Sequence, residues 1–333
     1  MTPSLSVVVV TRDDYRTLRP IIASLRLQRG AKDMELVVVG PRGAVRVPPA
    51  DMVGFHSVRV VEVGSVTNRG QAAAAGVLAA TAPVIALTEN HCFPEPEWAE
   101  RTLASHAEGW AGVGPAVGNA NPESELSRAM HAFGYGQFPL LADSREVEEL
   151  PLHNCSYRAD VLPRELDRLG MLLSDERRLQ LALRQGGHVF RFEPRAVKWH
   201  VNEATWRLFV GLSYNSGRRY GGTRAAQWPL WRRAVYTAAT PLLSLLIARS
   251  TWSKHTQAEA GSDLHLAIVI WLGAVAHAVG EAVSYSRGAR STFPFVDDDE
   301  FLIRERLGGR AVTRPTVASL LSLLDVADAE RGP

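Results

Sequence analysis

Four short apolar runs decide most of what this chain can become: Leu5–Val10 (LSVVVV), Glu35–Val39 (ELVVV), Val58–Val63 (VRVVEV) and Val84–Thr88 (VIALT). They are rich in β-branched residues, and the stretches between them carry helical spacing: Leu18, Ile21, Ile22 and Leu25, then an alanine-rich segment from Gln71 to Ala80. Near-continuous apolar strands interleaved with helices predict an α/β fold whose mainly parallel sheet is covered on both faces.

In such sheets ligands bind beyond the carboxyl ends of the strands. The tips to consider are Thr11-Arg12-Asp13, Gly40-Pro41-Arg42, Asn68-Arg69-Gly70 and Glu89-Asn90-His91. The last of these puts a carboxylate, an amide and an imidazole at the end of a buried strand, and such groups need partners there, because burying them unpaired costs several kcal/mol, roughly. The first strand is not followed by G-x-G-x-x-G, and G-x-x-x-x-G-K-[ST] occurs nowhere, so dinucleotide-binding and P-loop readings lose their main support.

The 333 residues have room for one large α/β domain and an appendage. Two cysteines, Cys92 and Cys155, are too few for a disulfide framework, and the N-terminus lacks the layout of a signal peptide; both point to a reducing, cytoplasmic setting. From Arg184 to Lys254 twelve Lys/Arg face only Glu193 and Glu203, which predicts a strongly basic face.

Two uncharged apolar runs follow, Ala234–Ala248 and Leu264–Gly280, 15 and 17 residues long. Both are at or below the roughly 20 residues that cross a bilayer, so they predict a hairpin lying in, or dipping into, a membrane, the alternative being two buried core helices of a soluble C-terminal domain. Trp199, Trp206, Trp228, Trp231, Tyr236 and Trp252 are interleaved with Arg207, Arg218, Arg219, Arg232, Arg233, Arg249 and Lys254 in this region. That mixture suits the headgroups of an anionic leaflet at the cytoplasmic face; the adjoining apolar runs set it apart from a nucleic-acid surface, and no nucleic-acid partner is expected.

The order of features resembles a family 2 glycosyltransferase with the GT-A fold, of the membrane-associated bacterial type. Ser6-Val-Val-Val-Val-Thr11-Arg-Asp13 with Leu18 and Ser24-Leu25-x-x-Gln28 is similar to that family's opening strand and helix. Asn68-x-Gly70, then Val84-Ile-Ala-Leu ending in Glu89-Asn90-His91 and Pro94-x-Pro96-x-Trp98, resembles the stretch carrying its metal-binding DxD. Leu152 to Arg158 resembles the acceptor-side segment, Ser174-Asp175-Glu176 with Leu179, Leu183 and Gly187 the helix opened by the acidic pair, and Pro194-x-Ala196-Val197-x-x-His200 completes the order. The expected organisation is a glycosyltransferase domain over 1–225, a membrane-associated helical hairpin over 226–290 and a C-terminal tail over 291–333 with a last helix near Val317 to Ala327.

The resemblance implies an inverting enzyme that moves a sugar from a nucleotide-diphosphate donor to a lipid-linked or cell-surface polysaccharide acceptor. Glu89 and His91, two apart on an extended tip, point the same way; with His200 they parallel a DxH variant of the motif and imply a divalent metal, Mn2+ rather than Mg2+, since imidazole suits Mn2+ better. In the family pattern the proton acceptor falls on Glu176 with Asp175 beside it, and the swapped order leaves open which reaches the acceptor. Thr11, Arg12, Asp13, Asn68, Arg69, Glu89 and Asn90 are the expected nucleotide-sugar contacts; Trp98, Asn154, Arg218 and Arg219 lie on the expected acceptor side. Gly40 stands where the family usually has an acidic residue, and Ala74-Ala75-Gly76 replaces its usual Ala-Arg-Asn. These departures motivate a second reading, a catalytically inactive scaffold at the membrane. A zinc cluster of His91, Cys92, His153, Cys155 and His200 and a nucleotidyltransferase are weaker readings; the first lacks a C-x2-C pair and the second a glycine-rich phosphate loop.

Overall fold

The computed structural model describes residues 2–12, 14–258, 263–287 and 303–329. The chain divides into two compact units, Met1–Ala120 with Phe138–His200 and Val312–Pro333, and Asn121–Gln137 with Val201–Ala311.

The first unit is built on one sheet. Strand β1 (Leu5–Val10) pairs in parallel with β2 (Met34–Pro41) and with β4 (Val84–Thr88), and β2 carries β3 (Ser57–Val63) at the edge. β1 and β4 are buried at every residue, and β2 at all but its last, which is why they read as unbroken apolar runs; only the edge strand β3 alternates, with Arg59 and Glu62 outward. Helices α1 (Arg19–Arg26) and α3 (Arg69–Ala79) supply the crossovers, and α2 (Pro49–Met52) is a single turn.

Beyond β4 the sheet continues with β8 (Ser156–Arg158), β6 (Gly112–Asn119), β9 (Phe190–His200) and the short β5 (Cys92–Pro94), while β7 (Arg145–Val147) pairs with β9. β8 is antiparallel to β4, β6 is parallel to β9, and β5 is antiparallel to β9 with Cys92 opposite His200. Helices α4 (Trp98–Ala107), α6 (Leu166–Leu173) and α7 (Glu176–Gln185) complete this half.

The second unit is helical: α5 (Glu125–Tyr135), α8 (Trp206–Arg224), α9 (Leu230–Ala238), α10 (Thr240–Ala258), α11 (Leu264–Arg287) and α12 (Ile303–Leu307). Leu126, Ala129, Ala132, Phe209, Leu266, Val269 and Ile270 form its core. A Cβ on Gly217 would stand 1.9 Å from the carbonyl oxygen of His277, and one on Gly280 would stand 2.1 Å from that of Tyr214. Glycine at both places lets α8 and α11 touch backbone to backbone, and Ser284 Oγ donates to the Arg218 carbonyl at 2.7 Å across the crossing. α11 is the one described helix long and apolar enough to cross a membrane by length and composition.

The compact units do not divide at the expected boundary of 225, and the one at 290 lies outside the described residues. α8 joins the second unit because its glycines dock on α11, and the last helix, α13 (Pro315–Ala329), is part of the first unit rather than a tail: Val317 is buried and the helix packs on α1. Residues 259–262, 288–302 and 330–333 of the expected hairpin and tail lie outside the described residues.

Candidate metal centre and active site

β4 ends at Thr88, and the chain turns through Glu89-Asn90-His91 into β5, whose pairing with β9 sets Cys92 against His200. That one antiparallel register brings His91 and His200 together although they are far apart in sequence. Their rings meet edge to face with centroids 4.7 Å apart. Glu89 Oε2 lies 3.2 Å from His200 Nε2 and 3.7 Å from His91 Nε2, and the ligand atoms of all three residues fall within 4.8 Å of one another.

A divalent ion bound at about 2.1 Å needs neighbouring donors about 3 to 4 Å apart; both Glu89–histidine distances lie in that range, and the set as a whole lies within 4.8 Å. The side chains are also in the right state. Burial pushes the Glu89 carboxyl up, but Arg69, His91 and His200 outweigh it and hold it well below the ordinary carboxylate range, so it is ionised. His91 Nδ1 is 2.8 Å from Asn90 Oδ1; with that carbonyl accepting, Nδ1 carries a proton, and a metal ion would take the place of the one on Nε2, which faces Glu89. One carboxylate and two imidazoles suit a transition-metal ion better than Mg2+, which prefers oxygen. The residues fit a divalent metal.

The two oxygens of Glu89 are divided. Oε2 faces the histidines and accepts from Asn154 Nδ2, while Oε1 is paired with Arg69 at 2.8 Å. Arg69 is held there by its neighbours. Asn68 caps α3, accepting from Gln71 N at 3.0 Å, and takes a further hydrogen bond from Ser174 Oγ at 2.8 Å. A Cβ on Gly70 would be 2.2 Å from the Ser174 nitrogen and 2.3 Å from the Leu173 carbonyl carbon, so only glycine lets α3 start against the backbone that precedes Asp175.

The acidic pair splits into two environments. Glu176 is 1% exposed, and its carboxylate accepts from His153 N at 2.6 Å, Tyr157 Oη at 2.8 Å and Cys155 Sγ at 3.0 Å, with His153 Nδ1 at 3.2 Å. Burial raises its pKa, but the hydrogen bonds from His153 and Cys155 outweigh burial and lower it. These bonds hold His153 at φ +64°, the left-handed region that a residue with a side chain rarely adopts, and the next residue, Asn154, reaches Glu89. Glu176 is therefore tied to the metal ligand through two consecutive residues. Asp175 keeps an accessible carboxylate, 23% exposed, 3.3 Å from Arg178.

The other expected residues fall as follows. Thr11 is buried at the β1 tip with its hydroxyl 3.1 Å from that of Thr17, Arg12 is half-buried beside it, and Asp13 lies outside the described residues. Trp98, expected on the acceptor side, is instead a core residue: it is 1% exposed with the Lys198 ammonium 4.5 Å from its ring centre, so its ring offers no surface to an acceptor. Asn154 is fully buried on Glu89, a positioning residue rather than a contact surface. Arg218 and Arg219 belong to α8 of the second unit, the first buried and the second exposed. The five-residue zinc reading is not assembled, because His153 and Cys155 are spent on Glu176.

Lys198 was not anticipated. It is fully buried, donates to Thr88 Oγ1 at 3.0 Å, and stands two residues before His200 on the same face of β9. Its only signal in the sequence is a lysine at a strand position of inward parity.

No family model matches the chain, and no curated protein matches it in sequence. Among solved structures, the mannosyltransferase PcManGT from Pyrobaculum calidifontis, in complex with GDP-Man and Mn2+, is similar in fold, with a TM-score of 0.52 over 86% of this chain and 88% of that one at 13% sequence identity. The likeness, with the curled, mostly parallel sheet, gives this chain the Rossmann-like α/β fold of a glycosyltransferase.

Proposed function

We propose that the protein is an inverting, metal-dependent hexosyltransferase that takes a sugar from a nucleotide-diphosphate donor. The observation that carries this reading is the Glu89–His91–His200 cluster at the tip of β4 in a glycosyltransferase fold; the solved neighbour holds GDP-Man and Mn2+ in that fold. Glu89, His91 and His200 would hold the ion, Mn2+ in preference to Mg2+, and it would supply positive charge to the diphosphate leaving group. Arg69, already beside Glu89, is the group placed to pair with a phosphate oxygen, and Asn90 keeps His91 in its metal-binding tautomer.

Asp175 takes the proton from the acceptor hydroxyl as that oxygen attacks the anomeric carbon from the face opposite the nucleotide. Its carboxylate is the accessible one of the pair, whereas that of Glu176 is committed to four donors. The acceptor class favoured by the apolar second unit is a lipid-linked or cell-surface glycan at the cytoplasmic face of the membrane.

The second reading, a non-catalytic scaffold, is favoured by one observation. The place a side chain at Gly40 would take is filled by Val45, whose Cγ2 would lie 2.4 Å from a Cβ there, so the usual acidic contact to the nucleotide is both absent and blocked. A calorimetric screen against UDP-, GDP- and dTDP-sugars, with and without Mn2+, separates the two. Mn2+-dependent binding lost in Glu89→Ala and His200→Ala supports the transferase, and binding to none supports the scaffold.

A further inference from the structure

The outward side of the second unit is apolar over three mutually packed helices. On α9 no residue is buried, and Leu230 (81% exposed), Trp231 (69%), Ala234, Val235 (55%) and Ala238 face out, while Arg232, Arg233 and Tyr236 turn inward. On α10 Leu242, Leu245 and Leu246 form an exposed stripe, and on α11 Leu264, Ile268, Trp271, Leu272 and Val279 form another. Eleven of the twenty-three large hydrophobic side chains exposed among the described residues lie on these helices. A folded chain rarely leaves so much contiguous apolar surface to water.

The charge says what covers it. From Ala204 to Ala258 the sequence has eight Lys/Arg and no Asp or Glu, and of these cations Arg207, Arg219 and Arg249 are exposed. Two copies meeting through this face would bring like charges together, whereas an anionic lipid leaflet meets both the apolar stripes and the cations. α11 is long enough to span, but the extent of its exposed stripe and the burial of its other side disfavour it. The exposed stripe of α11 from Leu264 to Val279 runs about 22 Å at 1.5 Å per residue, short of a hydrocarbon core of about 30 Å. The opposite side of α11 is buried, including Leu266, Ile270 and Ala274, and α10 carries Arg249 and Lys254 within its length.

We infer that α9, α10 and α11 form a docking surface that lies in the headgroup-to-acyl boundary of an anionic leaflet, with α9 entering side-on and no described helix crossing the bilayer. This does not depend on sugar transfer.

The test uses the full chain and sedimentation with phosphatidylcholine vesicles, with and without phosphatidylglycerol. Binding is expected to require phosphatidylglycerol and to weaken as salt rises. Replacing Arg207 and Arg249 with glutamine should lower affinity about fivefold each. Leu230→Ser with Trp231→Ser should lower it at least about tenfold, with an unchanged melting temperature because both side chains are exposed. Brominated acyl chains should quench wild-type tryptophan fluorescence more than that of Trp231→Leu. Equal binding to neutral vesicles, a solution dimer that vesicles do not dissociate, or resistance to alkaline carbonate extraction would each overturn the inference.

Discussion

Replacing Glu176 with glutamine separates a structural carboxylate from a catalytic one. In the wild type every approaching group is a donor: the His153 amide, the His153 ring, Tyr157 and Cys155. An amide must turn its NH2 toward two of them. Tyr157 and Cys155 can rotate to accept, but the His153 amide then donates to a neutral oxygen. Losing charge assistance costs about 1–2 kcal/mol, and the poorer remaining bonds about 1–2 more, for a total of roughly 2–4 kcal/mol. For a chain of this size that is a melting shift of roughly 3–6 °C, read by circular dichroism at neutral pH. Because the folded carboxyl titrates below its unfolded value, its contribution is present above about pH 4.5 and lost as pH falls through the folded value, so the gap between wild type and variant should narrow in acid. Asp175→Asn should behave oppositely. It gives up an exposed (i, i+3) pair worth about 0.5 kcal/mol at most, while the transfer rate falls roughly 10²- to 10⁴-fold with donor binding intact. An unshifted Glu176→Gln variant without transfer, beside an active Asp175→Asn, would refute this division of labour.

Other outcomes can be measured independently. Mn2+ at one hundred times its dissociation constant should stabilise the wild type by about 2.7 kcal/mol in a thermal-shift assay, and chelation or His200→Ala should remove that gain. Gly70→Ala must displace backbone at Leu173 and Ser174, and should cost about 3 kcal/mol in chemical denaturation. Burial pushes His106 down to about 4, so it is neutral in the fold; stability is complete above about pH 6.5 and falls toward pH 4 by up to roughly 3 kcal/mol. His106→Gln should flatten that slope in calorimetry between pH 7 and 5.

The sequence made the parallel half of the sheet legible because β1, β2 and β4 are buried on both faces and read as unbroken apolar runs. The other half was not legible as pairings, since β8, β6, β9 and β5 join distant segments through short registers that no local period encodes. Glu89 and His91 could be paired by their spacing, whereas His200 came from resemblance, because only the β5–β9 register closes the gap. Glu176 and Trp98 show the limit from the other side. An acidic residue opening a helix, or a tryptophan after a proline, reads the same whether it faces solvent or, as here, Tyr157 and Lys198.

The return of α13 to the first unit bears on how the protein is made. Its Val317 sits in that unit's core, and Arg314 stacks on Trp199, the neighbour of His200, while pairing with Glu95 at 2.6 Å. The unit that carries Glu89, His91 and His200 thus awaits a segment translated after the helical unit. During synthesis residues 121–137 and 201–311 can settle while the sheet still lacks its last support. Truncation within α13 should therefore be felt first at the Glu89–His91–His200 cluster, on residues translated long before it.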